Sequence, residues 1–213
     1  MPFPTRMTVI RLANGNLFLH SPIRHSQWLE RDLLGLGPIR HLVAPNWIHY
    51  AGLPGWQAAA PDAITWAAPG VRARAVARGV MVRWDRDLAD AAPADWAGQI
   101  DQMIVHGSPV HQEAVFFHRS SRTLILTDLI ENFEAARLPG WFRGLARLAG
   151  VVDPDGKAPI DMRMSFRRGK PQLRAAVEQM IDWAPERVIL SHGRWYDRDG
   201  VAELRRAFRW ALR

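Results

Sequence analysis

The chain has 213 residues, 48% of them apolar and 23% charged, a composition typical of a globular domain with a substantial core. It contains no cysteine, which excludes disulfide bonds and thiolate metal ligands. The net charge of +7 comes almost entirely from arginine, but long basic runs are missing, so a solvated charged surface is favoured over a nucleic-acid site. No apolar run is long enough for a membrane span and no signal-like segment opens the chain, so we expect a cytoplasmic protein.

The first half of the chain predicts a hairpin followed by alternating helices and strands. Residues 8–23 give two strands around a tight turn at Asn14-Gly15. A helix is predicted over 26–37, with Ser26 as its N-cap and Gly37 as its stop. Further strands are predicted in 39–46, 64–69, 80–85 and 100–107, and a short helix in 55–63.

The second half continues the alternation. Residues 113–130 form the clearest hairpin pattern, with two apolar runs on either side of a polar Arg-Ser-Ser-Arg turn. The later predictions are a helical stretch over 130–150, a loop over 151–161, helices over 171–184 and 199–212, and a buried strand over 187–193. Because strands and helices alternate and no convincing linker interrupts them, we expect a single mixed α/β domain over residues 1–213.

Three predicted strands end at or near side chains that can bind a metal ion. These side chains are His49, with Asn46 before it, Asp128 and His192. A strand buried on both faces has no structural need for such groups at its end, whereas ligand sites in α/β proteins often lie there. Two imidazoles and one carboxylate suit Zn²⁺, Fe²⁺ or Mn²⁺ with a coordination position left open.

Each of these three residues also has a purely structural interpretation. His49 would brace the loop that follows it, and Asp128 would be the N-cap of a helix in "DLIENF". His192 would hydrogen-bond a loop carbonyl. Taken one at a time, the structural interpretations are favoured, and the repetition of the pattern is what supports a shared site.

At these residues the chain resembles the metallo-β-lactamase fold superfamily. More narrowly, it is similar to a bacterial family designated domain of unknown function 4336, which is grouped with that fold. The segments that carry the resemblance are "VIRLANGNLFLHSPI", "LGPIRHLVAPNWIH", "FFHRSSRTLILTDLIENF" and "RVILSHGRW". The resemblance implies an αββα sandwich of two mixed β-sheets with outer helices, and an active site along one edge.

The resemblance also assigns residues to the superfamily's metal motifs. The His-x-His-x-Asp-His motif matches residues 44–49, where only His49 is kept, because Ala44, Asn46 and Ile48 replace two histidines and the aspartate. Asp128 matches the aspartate that bridges two metals, and His192 matches the final histidine. For the middle histidine, His111 is the nearest candidate and Glu113 is the alternative.

These replacements favour at most one divalent ion, either Zn, Fe or Mn, over a two-metal centre. We expect His49, Asp128 and His192 to hold it, with His111 as a further candidate ligand, and Glu113 and Asn46 as candidate catalytic residues. The leading hypothesis is a hydrolase of small-molecule esters, lactones or phosphodiesters. The alternatives are a non-catalytic binding domain on the same fold, whose altered motif no longer supports hydrolysis, and a nuclease-type relative that uses its basic surface.

Overall fold

The computed structural model describes residues 4–213 as two β-sheets with helices on their outer faces. The strands of the first sheet lie side by side in chain order: β1 Thr8–Arg11, β2 Leu17–His20, β3 Ile39–Ala44, β4 Ile64–Ala67 and β5 Arg86–Asp87. The second sheet contains β6 Ile100–Val105, β7 Glu113–His118, β8 Thr123–Ile125 and β9 Arg187–Ile189. Each sheet mixes antiparallel and parallel pairs.

The helices are interleaved with the strands along the chain. They are α1 Gln27–Leu34, α2 Leu53–Ala59, α3 Val71–Ala77, α4 Gly140–Ala149, α5 Ile160–Ser165, α6 Lys170–Asp182, α7 Gly200–Ala207 and α8 Arg209–Leu212. A single 3₁₀ turn, Ala135–Arg137, precedes α4. Among residues 4–213, no helix combines the length and the apolar character that a bilayer crossing requires.

Strand β7 illustrates how the layers are held together. Because successive side chains of a strand point to opposite faces, Ala114 and Phe116 belong to the core between the sheets, whereas Val115 and Phe117 pack toward the outer helices. The inner core joins both sheets with α1, α2 and α3, and the second core joins the second sheet with α6, α7 and α8. This helix–sheet–sheet–helix order confirms the predicted αββα sandwich.

One predicted strand is absent, and two predicted helices are confirmed only in part. Residues 80–85 form no strand. This segment is attached to β4 through Asp85, whose carboxylate accepts the Thr65 backbone N–H at 2.8 Å. Strand pairing with β4 starts only at Arg86. The last helix is interrupted at Phe208. The segment after Asp128 does not begin a helix: it is extended, with isolated bridges from Glu131 to Lys157 and from Asn132 to Gly193. The structural interpretation of Asp128 as a helix N-cap is therefore also wrong.

Candidate metal centre

The three predicted strand ends meet at one edge of the sandwich. His49 lies five residues beyond the end of β3 in the first sheet. Asp128 and His192 each lie three residues beyond the ends of β8 and β9, which are adjacent and parallel in the second sheet. Parallel neighbours deliver their carboxyl ends to the same edge, and the packing of the two sheets brings His49 to it.

The three side chains form one compact group, which we call the three-ligand group (His49, Asp128 and His192). The Oδ1 atom of Asp128 lies 3.2 Å from Nε2 of His49 and 3.1 Å from Nε2 of His192. The two Nε2 atoms are themselves 3.2 Å apart. One ligand atom from each residue lies within 4.8 Å of the other two, and Asp128 and His192 are buried. The structure therefore brings together the three residues that the strand-end pattern singled out.

Each member of the three-ligand group is oriented by a second contact on its far side. Nδ1 of His49 lies 2.6 Å from the Ser21 hydroxyl. Nδ1 of His192 donates to the Pro4 carbonyl oxygen at 3.1 Å, and Oδ2 of Asp128 accepts from the Asn46 side-chain amide at 2.7 Å. The Pro4 carbonyl fixes the tautomer of His192, and contacts of this kind orient the ring so that its other nitrogen can face a metal. The predicted bond from His192 to a loop carbonyl is confirmed, and it accompanies the grouping with Asp128.

The donor set fits a divalent cation. A carbonyl oxygen only accepts hydrogen bonds, so Nδ1 of His192 carries a hydrogen, and in the neutral ring its Nε2 presents a lone pair to the Asp128 carboxylate. Two lone pairs at this distance need a positive charge between them. Burial opposes charge on both groups, but the contacts outweigh it: His49 and His192 hold the pKa of Asp128 well below its usual range, and the hydrogen bond to Asp128 raises the pKa of His192. A metal ion would satisfy all three donors in place of a proton.

A second position lies next to this group, where the resemblance places the ligands of another metal. We call it the hydrogen-bonded position (Asn46, His111 and Glu113). The fully buried Glu113 carboxylate lies 3.3 Å from Nε2 of His111 and accepts from the Asn46 amide at 3.3 Å. It also accepts the backbone N–H groups of Thr127 and Asp128 at 2.7 and 2.8 Å. The chain's own donors therefore surround this carboxylate.

The remaining predicted site residues are accounted for by these contacts. His111 does not join the three-ligand group, because its Nε2 is directed at Glu113. The Asn46 side chain connects the two positions, since its amide nitrogen contacts both carboxylates, while its oxygen accepts the backbone N–H groups of Ile48 and His49. Asn46 therefore braces the turn that leads to His49, whereas the His49 ring contacts Ser21, Asp128 and His192.

Two features of the candidate site were absent from the sequence predictions. Ser21 follows β2 directly and adopts a positive φ of 54°, which costs a non-glycine residue free energy and directs its hydroxyl at His49. Glu131, three residues after Asp128, lines a cavity next to the three-ligand group. The available signals were a serine directly after a strand that ends in His20, and a second acid beside Asp128.

Two cavities border the three-ligand group. The larger, of about 910 Å³, includes Ser21, Arg24 and His49 in its lining. The smaller, of about 320 Å³, lies against Asp128 on the side of α4. Ile48 and His192 line both cavities, so molecules in either one would reach the edge of the candidate centre.

Comparison with known proteins agrees with the fold described above. A family model described as "Domain of unknown function (DUF4336)" matches residues 1–141. The search of curated proteins gives no match. Among solved structures, the DIM-1 metallo-β-lactamase exposed to ceftazidime is similar with a TM-score of 0.64 and 17% identity, covering 97% of this chain and 84% of that one.

Two further structures extend the comparison. The mono-zinc form of the metallo-β-lactamase FIM-1 from Pseudomonas aeruginosa has a TM-score of 0.64 and 12% identity, covering 99% of this chain and 86% of that one. Rubredoxin oxygen:oxidoreductase from Desulfovibrio gigas has a TM-score of 0.63 and 12% identity, covering 99% of this chain and 54% of that one. Identities this low show the fold alone.

Proposed function

Because the chain belongs to the DUF4336 family and has the metallo-β-lactamase fold, we propose that it is a hydrolase that uses one divalent metal ion. The ion would be held by the three-ligand group. The observation that carries the proposal is the convergence of two imidazole nitrogens and one carboxylate oxygen, each oriented from behind by a second contact. The mono-zinc form of FIM-1 supports it, since the same fold holds a single zinc there.

A bound divalent ion would polarise a carbonyl or phosphoryl oxygen and favour deprotonation of a water molecule. His49 and His192 would position it from opposite sheets, and Asp128 would contribute the negative charge. Asn46 would act as a positioning residue, because its amide holds the second oxygen of Asp128. The burial and four hydrogen-bond partners of Glu113 favour a supporting role for this residue over that of a base.

Metal analysis of protein purified without chelator tests the proposal. We expect about one zinc, iron or manganese ion per chain, or uptake of about one zinc ion when zinc is added. A His49→Ala variant should lose this ion, whereas the control His118→Ala, at the last residue of β7, should keep it. A chain that binds no ion under either condition would contradict the proposal.

A second candidate function is a non-catalytic binding domain. It is favoured by the replacement of ligands at Ala44, Asn46 and Ile48 and by the closed network around Glu113. A panel of ester, lactone and phosphodiester substrates separates the two candidates. Turnover that disappears in His49→Ala supports the hydrolase, whereas ligand binding without turnover by the metal-loaded protein supports the binding domain.

A further inference from the structure

The smaller cavity is lined by acidic side chains, in contrast to the net positive charge of the protein. One wall is apolar and comes largely from α4, with Phe142, Leu145 and Ala149 among its residues. The polar side chains opposite are acidic or belong to the candidate centre: Glu131, Asp161, Asp128 and His192. No arginine or lysine is among the residues that line it, although the chain carries a net charge of +7.

Glu131 is the acidic group best placed to meet a molecule in this cavity. Its backbone is fixed by two bonds to Lys157, with N–H to oxygen distances of 3.2 and 3.1 Å. Within residues 4–213, its carboxylate has no hydrogen bond or ion pair, and only burial and charges at a distance act on it. Burial and the nearby Asp128 raise its pKa to about 7, because the opposing effect of His192 is smaller than these two.

We propose that this cavity binds a small molecule with an apolar body and a cationic group, and that the cationic group pairs with Glu131. The inference rests on the proposed function where the molecule is taken as the substrate, because its scissile group would then lie toward Asp128 and His192. A cation compensates a poorly solvated carboxylate, and the α4 wall buries the apolar body. Anionic molecules such as phosphodiesters would meet repulsion from Glu131, Asp161 and Asp128.

Three probes with the same ring and different charge test the proposal: benzylamine, benzyl alcohol and benzoate. Binding to the full-length chain is measured by calorimetry at pH 8 with chelator present, so that no metal contributes. We expect benzylamine to bind about tenfold more tightly than benzyl alcohol, and benzoate more weakly than either. Glu131→Gln should reduce benzylamine to the affinity of the alcohol, while the control Glu178→Gln, on exposed α6 surface, changes neither.

A second variant keeps the test decisive if Glu131→Gln does not fold. Ala149→Leu adds bulk to the wall of the cavity and should abolish binding of both the amine and the alcohol. The proposal would be overturned if benzoate bound as tightly as benzylamine. It would also be overturned if the Glu131→Gln variant still preferred the amine, or if the Ala149→Leu variant still bound either molecule. These titrations are independent of metal content, so failure of the metal analysis would remove the hydrolase function and leave the cavity proposal standing.

Discussion

The three-ligand group and the hydrogen-bonded position lie side by side, and each contains a buried carboxylate, but the two carboxylates have different kinds of partner. Glu113 is surrounded by donors from its own chain, including two backbone N–H groups. Asp128 instead faces two imidazole nitrogens that compete for the same proton or cation. The comparison teaches that, of two neighbouring buried carboxylates, one is satisfied by internal hydrogen bonds, whereas the other lies against two imidazole nitrogens and needs a shared proton or cation.

Removing Glu113 should have the largest effect. Glu113→Ala leaves the N–H groups of Thr127 and Asp128 without an acceptor in a buried site, so we expect a loss of about 3–5 kcal/mol in the free energy of unfolding. Urea denaturation measures it. The exposed Glu178→Ala should stay within about 0.5 kcal/mol of the wild type. A loss below about 1 kcal/mol for Glu113→Ala would mean that the carboxylate is not structural.

Removing a member of the three-ligand group should affect zinc rather than folding. His192→Ala deletes one of three donors, so zinc affinity should fall by more than about 100-fold, beyond the range typical of outer contacts. Competition with a chromogenic chelator measures it, with His118→Ala as the control. Unchanged affinity in His192→Ala would place zinc elsewhere and remove the contrast between the two positions.

His41 provides a reference, because it is a buried histidine that belongs to neither position. Burial lowers its pKa to about 4, and its Nδ1 accepts from the Trp66 indole at 3.3 Å. The unfolded chain therefore takes up a proton near pH 6.5 while the folded chain does not, and stability is lost as pH falls through this range. Between pH 7 and pH 5, this histidine should cost about 2 kcal/mol.

The measurement compares the free energies of unfolding of wild-type protein and His41→Gln at the two pH values. The glutamine does not titrate, so the variant should lose less stability than the wild type on acidification. Parallel curves for the two proteins would show that His41 does not contribute to the acid sensitivity.

The smallest expected effect comes from the contact behind His49. Ser21→Gly removes the hydroxyl and suits the positive φ, so the backbone should be unaffected while zinc affinity falls about tenfold. The same titration on Ser120→Gly, in an exposed turn, is the matched control. A fall as large as that of His192→Ala would indicate that Ser21 is itself a ligand.

Much of the fold was predictable, because its signals are local. The Asn14-Gly15 hairpin, β3 and the hairpin of β7 and β8 are confirmed close to their predicted positions, since turn residues and apolar runs define them. Residues 80–85 misled the prediction, because their alternating pattern is that of a strand, whereas the segment is held beside β4 through Asp85.

The candidate site was predictable only in part. The three-ligand group could be identified because each member follows a recognisable strand. The hydrogen bonds that surround the Glu113 carboxylate could not be predicted. They depend on contacts such as that between Asn46 and Glu113, which are 67 positions apart and come from different sheets. The open carboxylate of Glu131 was equally hidden, since only the packing of α4 creates the cavity that it lines.

The contact between Pro4 and His192 has a practical consequence for handling the protein. Arg6 strengthens this tether, because its guanidinium donates to the carbonyl oxygens of Leu190 and Gly193, and its backbone N–H donates to Ser191 at 2.9 Å. We expect an affinity tag fused directly before these residues to disturb the loop that carries the candidate ligand His192. Purification through the opposite terminus would leave that loop undisturbed, and a difference in metal content between the two tagged forms would measure how much the tether matters.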